Sequence, residues 1–438
     1  MIYRCASCGY SSGKWMGFCP GCNVAEPLVE ETESRHRRVT ALQPLPLAKV
    51  RDGGEVRRTI GIAELDAVLG GGLVAGSVVL IGGEPGVGKS TLALQAALEV
   101  AESGGRSLVV TAEESAQQVG LRADRLARRQ GARTLSESSD QVFLLANDDL
   151  DGVLAAADEM RPDLLVVDSI QTVASRQSEG AAGGAAQVRE SAASLIRFAK
   201  ERQVPTFLIG HVTKDGSLAG PKLLEHMVDV VLSFEGDPAH GLRVLRSMKN
   251  RFGATHVVGM FEMSVEGLTE VPDPSRVFLQ DWRQDVAGNI VFPAVEGRRS
   301  ILVEMQTLTD ETRAFPPRRS VRGVEANRVH QILAVLNRHA QLKVSDMEVY
   351  VNVVGGWTLD EPACDLALAL ALASSLTGQP LGSTAAWGEI GLSGEVRSVS
   401  HHQRRMEEAR RVGVERVVAP ESGGRLDLLS AMLQAGIR

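Results

Sequence analysis

The eight residues Gly83-Glu84-Pro85-Gly86-Val87-Gly88-Lys89-Ser90 follow the spacing Gly-x-x-x-x-Gly-Lys-Ser/Thr, which suits a loop that cradles a nucleoside triphosphate. Glycines at 83, 86 and 88 let the backbone curl where a Cβ would clash, so that N–H groups turn toward an anion. Lys89 is expected to neutralise β/γ-phosphate charge. The Ser90 hydroxyl is expected to ligate Mg²⁺, with Thr91 opening the helix behind it. The flanks agree with this reading. Ser77-Val78-Val79-Leu80-Ile81 is an apolar β-branched run suited to a buried strand, and Thr91 to Ala97 reads as a helix whose positive end faces the phosphates.

Two further runs end in acids. Leu164-Leu165-Val166-Val167-Asp168 is expected to be a buried strand whose terminal carboxylate sits beside Ser90 and holds the same Mg²⁺. Leu108-Val109-Val110-Thr111 leads into Glu113 and Glu114. A carboxylate placed there orients an attacking water; Glu113 is the first candidate and Glu114 the second. The alternative is that both acids merely open the next helix, where its dipole favours them. A third strand, Thr206 to Gly210, runs into His211-Val212-Thr213-Lys214, polar groups suited to sensing a γ-phosphate and passing the signal to 215–224. Lys249 and Arg251 flank a turn in Ser247-Met248-Lys249-Asn250-Arg251-Phe252-Gly253; taken alone, this is a solvated hairpin tip.

Four of the five cysteines lie in the first 22 residues as Cys5-x-x-Cys8 and Cys19-x-x-Cys22. Two such knuckles converge four thiolates on one tetrahedral ion, which suits structural Zn²⁺. Iron and a redox pair are the chemical alternatives. Gly9 and Gly21 are expected to take left-handed conformations that aim N–H groups at sulfur. So short a segment cannot bury a core, so metal binding would supply its folding energy.

These sites need elements to position them. A chain of 438 residues has room for two or three domains. Aromatic residues make up only 4%, so Leu, Val, Ile and Ala must fill the cores. The alternation of apolar strand-like runs with helix-like stretches argues an α/β class with a parallel sheet covered by helices. The divisions expected are a four-cysteine finger at 1–27, a charged, Pro-containing linker at 28–57, a nucleotide-binding domain at 58–267 and a further domain at 268–438. The net charge of −7 is unevenly spread, positive over the first 60 residues and most negative in the middle. Any nucleic-acid contact must therefore use local basic clusters. No signal peptide or membrane span is visible, and a cytosolic protein is expected.

The four cysteines, GEPGVGKS, VVDSIQT at 166–172, GHVTKDG at 210–216 and KNRFG at 249–253 together resemble the bacterial RadA (Sms) DNA-repair ATPases, over essentially the whole chain. The resemblance implies a RecA-like motor core that forms rings, expected to be hexamers, on DNA. It further implies ATP-driven, helicase-like branch migration on single-stranded and branched DNA, in company with a recombinase. Transferred onto this chain, it makes Lys89 and Ser90 the triphosphate and Mg²⁺ ligands, Asp168 the second metal carboxylate and Glu113 the water-orienting base. It also implies that Lys249 and Arg251 reach a neighbouring subunit's nucleotide or touch DNA.

Residues 268–438 are similar to the peptidase domain of Lon-type proteases, through Asn327-Arg328, 349–356 and Thr358-Leu359-Asp360-Glu361-Pro362-Ala363-Cys364-Asp365. Active Lon enzymes carry a serine after that proline and a lysine later in the chain. Here Ala363 and Gln403 stand in those places, and a methyl group and an amide supply neither nucleophile nor base. Cys364 lies one position late. The expected domain is a ring-forming scaffold without peptidase chemistry. Arg313, Arg318, Arg319 and Arg322, around Pro316-Pro317, form a basic cluster suited to phosphate contact or to an exposed loop. The competing functions are an ATP-dependent Lon-like protease and an ATP-switched adaptor without motor activity.

Overall fold

Val78-Val79-Leu80-Ile81 shows no polar alternation because both faces of its strand are covered, as in a parallel sheet between helical layers. The structure is a computed structural model. It describes residues 2–5, 7–8, 10–25, 28–31, 57–129, 139–175, 184–211, 223–236, 241–255, 257–297, 299–314, 316–421 and 426–438. Of the expected γ-phosphate-sensing residues 211–214 and their loop at 215–224, residues 212–222 lie outside the described residues, as does most of the expected linker.

The central sheet has nine strands: β1 (Val78–Gly83), β2 (Ser107–Thr111), β3 (Val142–Ala146), β4 (Leu164–Asp168), β5 (Thr206–His211), β6 (Val230–Gly236), β7 (Leu242–Asn250), β8 (Val258–Ser264) and β9 (Gly267–Glu270). Their order is β9-β8-β7-β6-β1-β5-β4-β2-β3. The six from β6 to β3 pair in parallel, and β7 to β9 continue as an antiparallel meander. Helices α1 (Ala63–Leu69), α2 (Lys89–Glu102) and α3 (Ala116–Arg129) contribute to the apolar layer on one face; α4 (Leu150–Met160) and α5 (Ala185–Arg202) cover the other. This is the RecA-like α/β core that the resemblance implies. Its last strand straddles the division expected at 267.

A second sheet follows, with β10 (Asn289–Glu296), β11 (Arg299–Glu311), β12 (Arg319–Arg322), β13 (Met347–Val353), β14 (Thr384–Ala386) and β15 (Arg416–Val418) in the order β12-β13-β11-β10-β14-β15. Packed on it are α6 (Ala326–His339), α7 (Asp365–Thr377) and α8 (His402–Val412). Helix α7, Asp-Leu-Ala-Leu-Ala-Leu-Ala-Leu-Ala-Ser, is buried all round from Asp365 to Ser374, so alternating small and large side chains replace an amphipathic stripe. Residues 55–438 form one compact unit. Within it, Arg299 of β11 donates to the Glu64 carboxylate of α1, and Arg246 of β7 pairs with Glu296 of β10 at 2.5 Å.

Residues 1–54 form a separate unit. Ile2–Arg4 pairs antiparallel with Ser11–Ser12 on one side and Val29–Glu31 on the other. The sheet thus uses residues past the expected boundary at 27. Cys5, Cys19 and Leu28 make its small core.

Candidate active site

The carboxyl ends of β1, β2 and β4 meet because the sheet register puts Thr111 opposite Asp168, while β5 lies between β4 and β1. Ligands of open parallel sheets bind at this edge. The loop after β1 occupies it. Gly86 and Gly88 have φ of 78° and 115°, left-handed values that favour glycine. Gly83 is needed for a different reason: a Cβ there would lie 2.2 Å from the carbonyl oxygen of Phe234 on β6. Val87 plugs into the core, and its carbonyl accepts from Arg243 Nε of β7 at 3.1 Å. Glu84, Pro85 and Gly86 are exposed, so the cradle opens outward.

Lys89 starts α2 and is 4% exposed. Its Nζ donates to the carbonyls of Gly83 and Glu84, both at 2.8 Å. Burial lowers its pKa, partly opposed by the nearby negative charges of Asp168 and Glu113. Burial raises that of Asp168, against a hydrogen bond from Ser90. Lysine, serine and both acids therefore share one electrostatic neighbourhood.

The two glutamates have different surroundings. Glu113 accepts from Ser169 Oγ at 2.5 Å, directly after Asp168. Glu114 is held by Arg122 of α3 in a two-pronged pair at 2.7 and 2.8 Å, the geometry in which guanidinium and carboxylate match. Ser115 and Gln118 cap α3 reciprocally, with Gln118 Oε1 accepting from Ser115 N at 2.9 Å and Ser115 Oγ from Gln118 N at 3.3 Å. The sequence reading missed Ser169 and Arg122. The serine was visible in VVDSIQT, but its partner lies in the loop that follows β2.

Lys249 is not on a solvated tip. From within β7 its Nζ donates to the carbonyls of Glu225, Val228 and His226 at 2.7, 2.9 and 3.3 Å, at the end of the short helix Leu223–Met227. Burial is the first cause that lowers its pKa. Arg251 is more than half exposed and reaches Asp229 at 3.4 Å. Asn250 locks the turn between them, donating to Val68 O and accepting from Phe252 N.

The four cysteine sulfurs lie within 4.8 Å of one another, with Cys5–Cys22 at 3.7 Å and Cys8–Cys19 at 3.5 Å. Four sulfurs each ~2.3 Å from a tetrahedral zinc stand ~3.8 Å apart, so the cluster fits that ion. Gly21 N donates to Cys19 Sγ at 3.3 Å as expected. The expected left-handed Gly21 is corrected, however: the positive φ in this knuckle, 57°, belongs to Asn23.

In the carboxyl-terminal region, Ala363 is 2% exposed and Cys364 fully buried, and burial pushes the Cys364 thiol up to about 12. Gln403 is exposed and donates to Glu407. Two residues from each of these positions, Glu361 and the fully buried Arg405 form an ion pair, and Arg405 also donates to the Pro293 carbonyl. Ser374 and Ser375 serve packing: Ser374 accepts from Gly288 N, and Ser375 bonds Thr309. Of the basic cluster, Arg322 is exposed beside a groove of about 580 Å³, while Arg319 reaches Val344 O.

Fold and cradle define a RecA-like P-loop ATPase that carries a four-cysteine zinc site. Residues 44–217 match the family model of an AAA domain, 3–30 that of a rubredoxin metal binding domain, and 329–429 that of the Lon protease (S16) C-terminal proteolytic domain. The chain is 45% identical to the DNA repair protein RadA of Halalkalibacterium halodurans, covering 96% of this chain and 92% of that one. It is 43% identical to the protein of the same name from Bacillus subtilis, covering 95% and 92%, and 44% identical to that of Pseudomonas aeruginosa, covering 96% and 92%. The chain belongs to the DNA repair protein RadA family.

Proposed function

We propose that this chain is a DNA-dependent ATPase of recombinational repair that binds single-stranded DNA and spends ATP on branch migration, working as a ring of six copies. The carrying observation is the convergence of Lys89, Ser90, Asp168 and Glu113 at one sheet edge, with Glu114 paired to Arg122. The backbone cradle of residues 83–91 would hold the triphosphate, with Lys89 leaving its loop carbonyls for phosphate oxygens. Ser90 and Asp168 would hold Mg²⁺, whose charge neutralises the transferring phosphoryl group. Glu113, exposed beside Asp168, accepts a proton from the attacking water and fixes its direction. The carboxyl-terminal domain is read as a scaffold without peptidase activity, because Ala363 and Gln403 provide neither nucleophile nor base and Cys364 is buried and protonated.

The deciding experiment measures ATP hydrolysis by the full chain with and without single-stranded oligonucleotide across a salt series. The expected result is stimulation that fades as salt rises, since phosphate contacts release counterions. Hydrolysis indifferent to oligonucleotide, with no oligonucleotide retained, would overturn the motor reading in favour of an adaptor. ATP-dependent release of peptides from casein would overturn the scaffold reading.

A further inference from the structure

We propose that Ser169 is a positioning residue for ATP hydrolysis, holding the Glu113 carboxylate in the orientation that directs the attacking water. This rests on the reading of Glu113 as the water-orienting base. Ser169 is fully buried and follows Asp168, so its backbone is fixed from both sides. The Asp168 carbonyl accepts from Ala112 N at 3.1 Å, and Ile170 N donates to Ile209 O of β5 at 3.0 Å. Its hydroxyl has one proton, and the neighbouring bonds decide where that proton goes. Thr172 Oγ1 lies 3.4 Å from Ser169 Oγ but donates to the Ser169 carbonyl at 2.8 Å. The Ser169 proton is thus directed to Glu113 Oε1, 2.5 Å away.

An exposed glutamate has several rotatable bonds, and ordering it at the moment of reaction costs entropy. A donor fixed just past the end of the adjoining strand meets that cost during folding, and the same backbone carries the proposed metal carboxylate one residue earlier. Glu113 and Asp168 are thereby held in a constant relation, although Glu113 follows β2 and Asp168 ends β4.

The test compares Ser169→Ala, Ser169→Cys and Ser169→Thr with Glu113→Gln and the double variant Ser169→Ala/Glu113→Gln in the full chain with DNA present. The readouts are kcat, KM for ATP, binding of a fluorescent ATP analogue, and thermal midpoint. Ser169→Ala is expected to lower kcat about 10- to 100-fold, the cost of a misdirected reacting group, with KM and analogue binding little changed. Ser169→Cys, near the serine in size but a weak donor, should behave alike even if the alanine variant folds poorly. Ser169→Thr should restore most of the rate. In the Glu113→Gln background, Ser169→Ala should add less than about a further twofold, because residues that act through one another are not additive. Wild-type kcat in Ser169→Ala and Ser169→Cys, or an undiminished loss in the double variant, overturns the positioning role while leaving Glu113 as base. Full turnover in Glu113→Gln overturns the base reading itself, and this inference with it.

Discussion

At the scale of single residues, the proposed site separates groups placed to touch nucleotide from groups that hold them. Lys89→Ala removes the cation proposed to meet the phosphates, so ATP turnover is expected to fall at least about 100-fold, the loss typical of one preorganised donor to a developing charge. Circular dichroism should still report a folded chain; turnover near wild type would remove the loop from the reaction. Glu113 and Glu114 offer a sharper contrast because they are adjacent in sequence. Glu113→Gln is expected to cost about 10²–10⁴ in kcat, the range for loss of a general base, while Glu114→Gln should stay within about fivefold. The reverse ranking would assign the water to Glu114. Cys364 gives an independent residue-scale expectation. With its thiol buried and pushed up to about 12, it should resist alkylation at neutral pH in the native chain and react only after denaturation, because the thiolate is the reactive form.

At the scale of elements, β7 and α1 connect nucleotide loop and second sheet. Arg243 of β7 holds the Val87 carbonyl in the loop; three residues later Arg246 pairs with Glu235 and Glu296 and lies 5.4 Å from the Trp357 ring centre. Glu64 of α1 accepts from Met260 N at 3.0 Å and from Arg299, while Arg299 also donates to the Pro272 carbonyl. Glu64→Ala would leave the buried Met260 N–H unpartnered and take the carboxylate away from the half-buried Arg299 guanidinium. The expected loss is about 2–4 kcal/mol, read as a lower urea midpoint at constant slope. An unchanged midpoint would mean that the two sheets are held by apolar packing alone. Elements of this kind mark the limit of sequence reading. Strand β1, its loop and α2 were legible because their signals are local: an apolar run, spaced glycines and Lys-Ser. The fully buried Arg405 was not, since its partners Glu361 and Pro293 lie 44 and 112 residues away. Lys249 was misplaced on a solvated tip for the same reason, as its carbonyl partners lie 21 to 24 residues upstream.

At the scale of the whole molecule, the two compact units should differ in what keeps them folded. Residues 1–54 have a core of only Cys5, Cys19 and Leu28 among their fully buried described residues, so the four thiolates and their ion must supply most of that unit's stability. Chelation of the zinc is expected to make this unit protease-sensitive while residues 55–438 retain their thermal transition. Metal analysis that finds no zinc in the untreated chain would count against the site. Among the described residues no helix is long and apolar enough to cross a membrane. The proposed ring raises the last question, which cation acts between subunits. Lys249 already satisfies three carbonyls of its own chain, and a trans role would require breaking all three bonds. Among the described residues the Arg251 side chain has one long contact, to Asp229, and more than half of it is in solvent. The arginine is therefore the better placed of the two to stabilise a neighbour's phosphoryl transfer, a role in which fingers contribute about 10³–10⁵ in rate. Mixing Arg251→Ala with wild-type subunits in rising proportion should depress ATP turnover more steeply than the fraction of variant added. Lys249→Ala should instead lower the thermal midpoint, because it strands the carbonyls that its ammonium caps. A strictly proportional loss with Arg251→Ala, joined to weaker oligonucleotide binding, would move that arginine from the nucleotide of the next subunit to the DNA.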